Sequence, residues 1–126
     1  MKVLLYAIRL IALLMIVNGL NFLVDPAAAA EGLGMPLLDG EGRSTQIGDL
    51  SAFFLATGTL AAMGTYRGQF HWLYGAALLL GLAAVGRTLS SVLHGAPLVP
   101  AIVFEVVCTA VLLVGASRLP QGGEGR

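Results

Sequence analysis

Residues 72–93, WLYGAALLLGLAAVGRTLSSVL, decide how this chain folds. A bilayer crossing needs about 20 apolar residues, and a backbone in hydrocarbon must satisfy its own hydrogen bonds, so this run is predicted to be a transmembrane helix. Within it stands Arg87, with Ser90 and Ser91 just beyond. A full charge inside such a helix costs roughly 2.5 to 3.5 kcal/mol on insertion scales unless it is paired or reaches water. The rest of the chain reads as the surroundings that make Arg87 tolerable.

Composition supports that reading. The chain has 126 residues, 57% hydrophobic and 11% charged, with a mean hydropathy of +0.87. Soluble domains carry about 25% charged residues, so the deficit points to an integral membrane protein. Lys+Arg 7 balances Asp+Glu 7, which leaves no basic excess for nucleic acid, and no nucleic-acid partner is expected. Cys108 is alone and cannot form an internal disulfide. The 17 glycines suit helices that approach closely in lipid.

Outward from the central run, three further spans are predicted. The first is about 3–24, interrupted by Arg9, Asn18 and Asn21. Ala27 to Ala30 before Glu31 offers a signal-peptidase-like site, but Arg9 within the apolar region, the two asparagines and Asp25-Pro26 depart from a signal peptide. A retained helix is favoured over a cleaved one. Residues 25–47, with Pro26, Pro36 and several glycines, are predicted to form an outer connection. Within it Ala27–Ala30 suits a short helix and Gly40 to Gln46 a solvated segment. The second span is about 48–66, with Asp49 as the expected N-cap and Gly58 and Ala62 as a small-residue packing pair. The Arg67-Gly68-Gln69 turn makes the second and third spans neighbours. The fourth span is about 98–117, with Pro97 and Pro100 expected in its first turn, followed by a polar tail, 118–126. The expected fold is all-α: a single integral membrane antiparallel four-helix bundle.

Basic residues set the orientation. Lys2 and Arg9, Arg67, and Arg118 with Arg126 fall at one end of the spans, and the acidic connection and His94 at the other. The positive-inside rule then puts both termini in the cytoplasm of a multi-pass protein of the cell (inner) membrane.

On that topology the intramembrane polar groups share one depth. Asn18 and Asn21, Asp49, Arg87 and Glu105 all fall in the outer third at about 1.5 Å per residue. Ser91 lies one turn from Arg87 and His94 two turns away. Arg87 offers five donors in a planar fork that suits a carboxylate, so an Arg87–Glu105 ion pair is expected, with Asp49 as a second carboxylate. If both acids ionise, the layer has one excess negative charge, which calls for a proton, a cation or a cationic ligand. His94, Asp49 and Glu105 would suit zinc by residue type, but no paired-His spacing supports it, and neither metal nor cofactor is expected. Asn18 and Asn21 are expected to hydrogen-bond between helices.

The run Gly81 to Glu105, with Gly86-Arg87, Ser91, Gly95, Pro97 and Glu105 at these spacings, together with Asn18-Gly19-Leu20 and Gly48-Asp49-Leu50, resembles the DUF4345 family. That family comprises small bacterial four-helix membrane proteins of unknown function. Its members usually follow the Asp with an arginine, where Ser51 and Phe53 stand here. The resemblance covers nearly the whole chain and implies fold and topology, not chemistry.

Three functional readings follow. The first is a non-enzymatic protein whose outer polar pocket (Arg87, Glu105, Asp49, Asn18, Asn21, Ser91, His94) binds a small molecule or a lipid headgroup. The second is a proton-coupled transporter or channel-like homo-oligomer that titrates Glu105 or Asp49. The third is a membrane enzyme acting on a lipid-like substrate. No P-loop, G-x-S-x-G elbow, H-E-x-x-H or C-x-x-C occurs. The cytoplasmic half lacks the polar groups that a transport path needs, so the binding reading leads. Within it, the Arg87–Glu105 pair can hold a ligand or simply fix helix register.

Overall fold

A computed structural model describes residues 2–119. It is all-helical, with five α-helices: α1 (Lys2–Val24), α2 (Pro26–Gly32), α3 (Gly40–Thr65), α4 (Leu73–His94) and α5 (Pro100–Arg118). No strand occurs among the described residues. All but α2 are long and apolar enough to cross a membrane. The predicted tail beyond Leu119, with Arg126, lies outside the described residues.

The connection predicted for residues 25–47 is mostly helical. Asp25 Oδ1 accepts the Ala28 N–H at 3.3 Å and Pro26 opens α2, where its missing N–H is harmless. Gly34 and Gly40 take the left-handed conformation (φ 79° and 59°) that turns the chain back. α3 then begins at Gly40, eight residues before the predicted start of the second span. Its first turn is tied by Arg43, which pairs with Asp39 at 3.1 Å and donates from Nε to the Leu38 carbonyl at 2.8 Å. The segment expected to be solvated therefore contains a buried residue: Gln46 is 6% exposed. Its amide accepts the Leu38 N–H at 2.9 Å and donates to the Pro36 carbonyl at 3.0 Å. An irregular backbone close to a packed helix needs such a partner.

The early start moves Asp49 into the interior of α3, so it is not an N-cap. At the other end of the chain, Val99 precedes α5 and Pro100 opens it, which leaves Pro97 outside the helix.

α1 packs along α3, and α4 along α5. Small residues make these approaches close. Gly58 sits against Ala12 and Ile16, Gly19 against Leu55, and Gly81 against Thr109. The two pairs meet around Ile8, Leu73 and Leu112, all fully buried, where Gly64 and Gly115 leave room for the Leu73 side chain. Burial then fades along α4. No residue from Val85 to Phe104 is buried, so the tip of the α4–α5 hairpin is uncovered while its base is packed.

Candidate functional site

The site is built where the α1–α3 and α4–α5 pairs diverge. Its floor is aromatic. Phe54 stacks on Phe22 of α1 with ring centroids 5.9 Å apart, and Phe53 meets Phe54 edge-on at 5.2 Å. Above the two α3 rings lies a crevice of about 170 Å³, walled by Leu14, Met15 and Asn18 of α1, Leu80 and Arg87 of α4, and Ala101, Phe104 and Glu105 of α5. Leu33, just after α2, closes one corner. All four long helices contribute to it.

Arg87 and Glu105 form its polar wall. Arg87 Nε lies 3.0 Å from Glu105 Oε1 and donates its hydrogen bond to Oε2 at 3.2 Å. The nearer oxygen, Oε1, is buried and accepts no hydrogen bond from a described residue. Glu105 is the enclosed partner, its side chain 9% exposed, whereas the Arg87 side chain is 34% exposed. The helix that carries Glu105 also satisfies its neighbour: Thr109 Oγ1 donates to the Glu105 carbonyl at 2.6 Å.

The guanidinium reaches beyond the crevice. Arg87 also lines a shallow depression with Gly86, Ser90 and Pro97, and another with Gly32, Gly34 and Pro100. It therefore sits where a lipophilic slot meets two wider openings at the tip of the hairpin. The terminal guanidinium nitrogens have no hydrogen-bond partner among the described residues.

The other predicted site residues divide. Asn18 reaches the crevice, but its Nδ2 donates to the Leu14 carbonyl at 2.8 Å, within its own helix, and so does not link helices. Asn21 is half-buried and contributes its backbone carbonyl to the Asp25 N–H at 2.7 Å. Asp49 is exposed and makes no ion pair with Arg87, which has Glu105 as its partner. With Asp49 displaced, the excess negative charge expected for the layer is not at Arg87. Ser91 Oγ is enclosed and unpaired, and lies outside the crevice wall. His94, the last residue of α4, is exposed. Among the described residues, no three His, Cys, Asp or Glu side chains come together to hold a metal ion.

The crevice also uses residues that the sequence did not single out: Leu14, Met15, Leu33, Phe53, Phe54 and Phe104. In a chain this apolar, no contrast along a helix distinguishes a wall residue from one on the outer surface. No family model matches the chain, and no curated protein or solved structure matches it either.

Proposed function

We propose that this chain is an integral membrane protein, an antiparallel bundle of its four long helices, whose crevice binds a small amphiphilic molecule or a lipid headgroup at Arg87. The observation that carries the reading is the joining of one ion pair, with Glu105 enclosed and Arg87 partly exposed, to an apolar slot walled by all four long helices. Such a slot suits an apolar body, and the free guanidinium nitrogens suit a polar end.

The contact register supports the antiparallel arrangement. Rising numbers in α3, Leu55 then Gly58, meet falling numbers in α1, Gly19 then Ala12 and Ile16. Gly81 meets Thr109 and Arg87 meets Glu105 in the same sense. The large apolar residues left on the surface, among them Leu10, Leu13, Val17, Leu78, Leu82 and Val103, then face lipid. Positive-inside orientation places both termini and the Arg67 turn in the cytoplasm of the inner membrane, with the crevice in the outer leaflet. α1 is retained in this reading, since Ile8, Ala12, Met15 and Phe22 build the core. The resemblance to the DUF4345 family fits the same topology.

The buried cluster of Ile8, Leu73 and Leu112 closes the crevice on its inner side, which favours binding over passage of a solute. The test is chemical. The protein is purified from membranes in mild detergent and its copurifying lipids and metabolites are identified, with an Ala101→Phe variant alongside to fill the slot. A species enriched with the wild-type chain and lost from the variant is expected. Identical extracts from both would refute the binding reading.

A further inference from the structure

Going beyond the binding reading, and resting only on the membrane insertion it includes, we infer that a second copy of this chain docks the outward face of its α3 at the tip of the α4–α5 hairpin, where Asp49 of the partner subunit pairs with Arg87. The two surfaces, their charges and their depths each support it.

The outward face of α3 differs from that of the other long helices. Its exposed residues from Thr45 to Thr59 are Thr45, Gly48, Asp49, Ala52, Ala56 and Thr59. The exposed faces of α1, α4 and α5 carry large aliphatic side chains such as Leu13, Leu82 and Val107. Thr45, Asp49, Ala52, Ala56 and Thr59 also follow alternating steps of four and three residues, the spacing of a seam between helices. Small side chains gain nothing against acyl chains, but they let a neighbouring helix approach closely. The receiving surface is the hairpin tip, where no residue from Val85 to Phe104 is buried. Gly86, Ser90 and Pro97 wall its shallow depression, and Gly86 has open space where a β-carbon would go.

Charge selects a second copy as the occupant. Asp49 is exposed and makes no ion pair among the described residues. Arg87 commits Nε to Glu105, while its terminal nitrogens have no hydrogen-bond partner among the described residues, and its side chain lines that same depression. The planar fork suits a further carboxylate and still keeps donors for a ligand on the crevice side.

The two charges also share a level. Leu73 of α4 packs on Gly64 of α3, and Gly75 on Leu60. At about 1.5 Å per residue, Asp49 lies about 22 Å and Arg87 about 21 Å from the Gly64–Leu73 contact, both toward the hairpin tip. Copies inserted the same way round keep their depths, so each can offer Asp49 at the height of its neighbour's Arg87. A contact between two α3 helices would instead set Asp49 against Asp49, like charges at one depth. The docking is head-to-tail, and its repetition closes a ring.

The test uses the full chain in native membranes. Two differently tagged versions, each with Cys108→Ser, carry Gly48→Cys or Gly86→Cys, beside Asp49 and Arg87 and with space for the new side chain. Co-expressed and treated with a short membrane-permeant bis-maleimide, they are expected to give a species bearing both tags, in preference to a product joining two Gly48 positions. Adding Asp49→Asn to the first version is expected to lower that yield roughly twofold to fivefold, the range for a partly exposed ion pair. A yield unmoved by Asp49→Asn would remove the ion pair from the account. Cross-linking of Gly48 positions alone would replace the docking with an α3-to-α3 contact, and the absence of any product would overturn it. These three outcomes leave the copurification test of the crevice standing, whereas recovery of the chain outside the membrane fraction would overturn both readings.

Discussion

Gly58 of α3 lies flat against the backbone of Ala12 in α1: a β-carbon at Gly58 would stand 2.9 Å from the Ala12 carbonyl oxygen and 2.6 Å from the Ile16 side chain. This close approach of the α1–α3 pair, made against backbone, sets the first prediction. Gly→Ala inside a helix ordinarily stabilises by about 1 kcal/mol. Here overpacking against backbone costs about 1–3 kcal/mol and outweighs that gain. Gly58→Ala is therefore expected to lower the unfolding free energy in micelles. Gly48, in the same helix with open space where a β-carbon would go, supplies the opposite sign: Gly48→Ala is expected to stabilise by about 1 kcal/mol. Thermal or denaturant unfolding of the two variants checks both signs, and a stabilising Gly58→Ala would mean that the helices are farther apart than described.

A second prediction concerns the strap before α3. Gln46 holds the Leu38 N–H and the Pro36 carbonyl from a position that is 6% exposed. Gln46→Ala leaves both groups without that partner, at a cost of about 1–3 kcal/mol confined to this segment. Amide hydrogen exchange at Leu38 is expected to speed up by roughly tenfold or more while exchange in α5 is unchanged. An unaltered Leu38 rate would show that the amide does not bind the strap.

Much of the fold was legible because the apolar runs are long and the breaks between them carry proline, glycine or charge. α1, α4 and α5 follow the predicted spans closely, with differences of a few residues at their ends. The start of α3 was not legible. Gly40 and Gly42 read as breakers, yet Gly40 opens the helix at positive φ and Arg43 ties its first turn to Asp39 and Leu38. That error carried Asp49 with it, from an expected cap to an exposed position within a helix. The Arg87–Glu105 pair was legible because two opposite charges in neighbouring spans, in register across a short turn, have few other partners. The aromatic floor was not. Phe53 and Phe54 at the crevice and Leu78 and Leu82 on the surface come from equally apolar runs, and only packing separates them.

Membrane orientation gives a third prediction. In a Cys108→Ser background, single cysteines introduced by His94→Cys and Arg67→Cys are exposed to a membrane-impermeant maleimide in intact cells. The first is expected to be labelled from outside and the second only after permeabilisation, because the basic residues assign the Arg67 turn to the cytoplasm. The reverse pattern would invert the bundle, and labelling of both without permeabilisation would contradict the four-span arrangement.

The burial of the pair is uneven, which makes its two halves unequal under mutation. Arg87→Leu leaves Glu105 enclosed with a side chain 9% exposed, whereas Glu105→Leu leaves a guanidinium that already reaches the openings at the hairpin tip. Breaking a buried pair costs roughly 3–5 kcal/mol, and partial exposure of Arg87 reduces that figure. Arg87→Leu is expected to be the more destabilising of the two, as measured by denaturant unfolding in mixed micelles. A larger loss from Glu105→Leu would mean that the exposed member is the arginine's partner and not the arginine.

The most direct test of the pairing at the centre of this protein is a double-mutant cycle over Arg87→Leu, Glu105→Leu and the combined variant, each measured as unfolding free energy in the same micelles. Pairing across α4 and α5 predicts that the double variant recovers stability, with a coupling of at least about 1 kcal/mol. Losses that add to within about 0.3–0.5 kcal/mol would show that the two side chains do not interact.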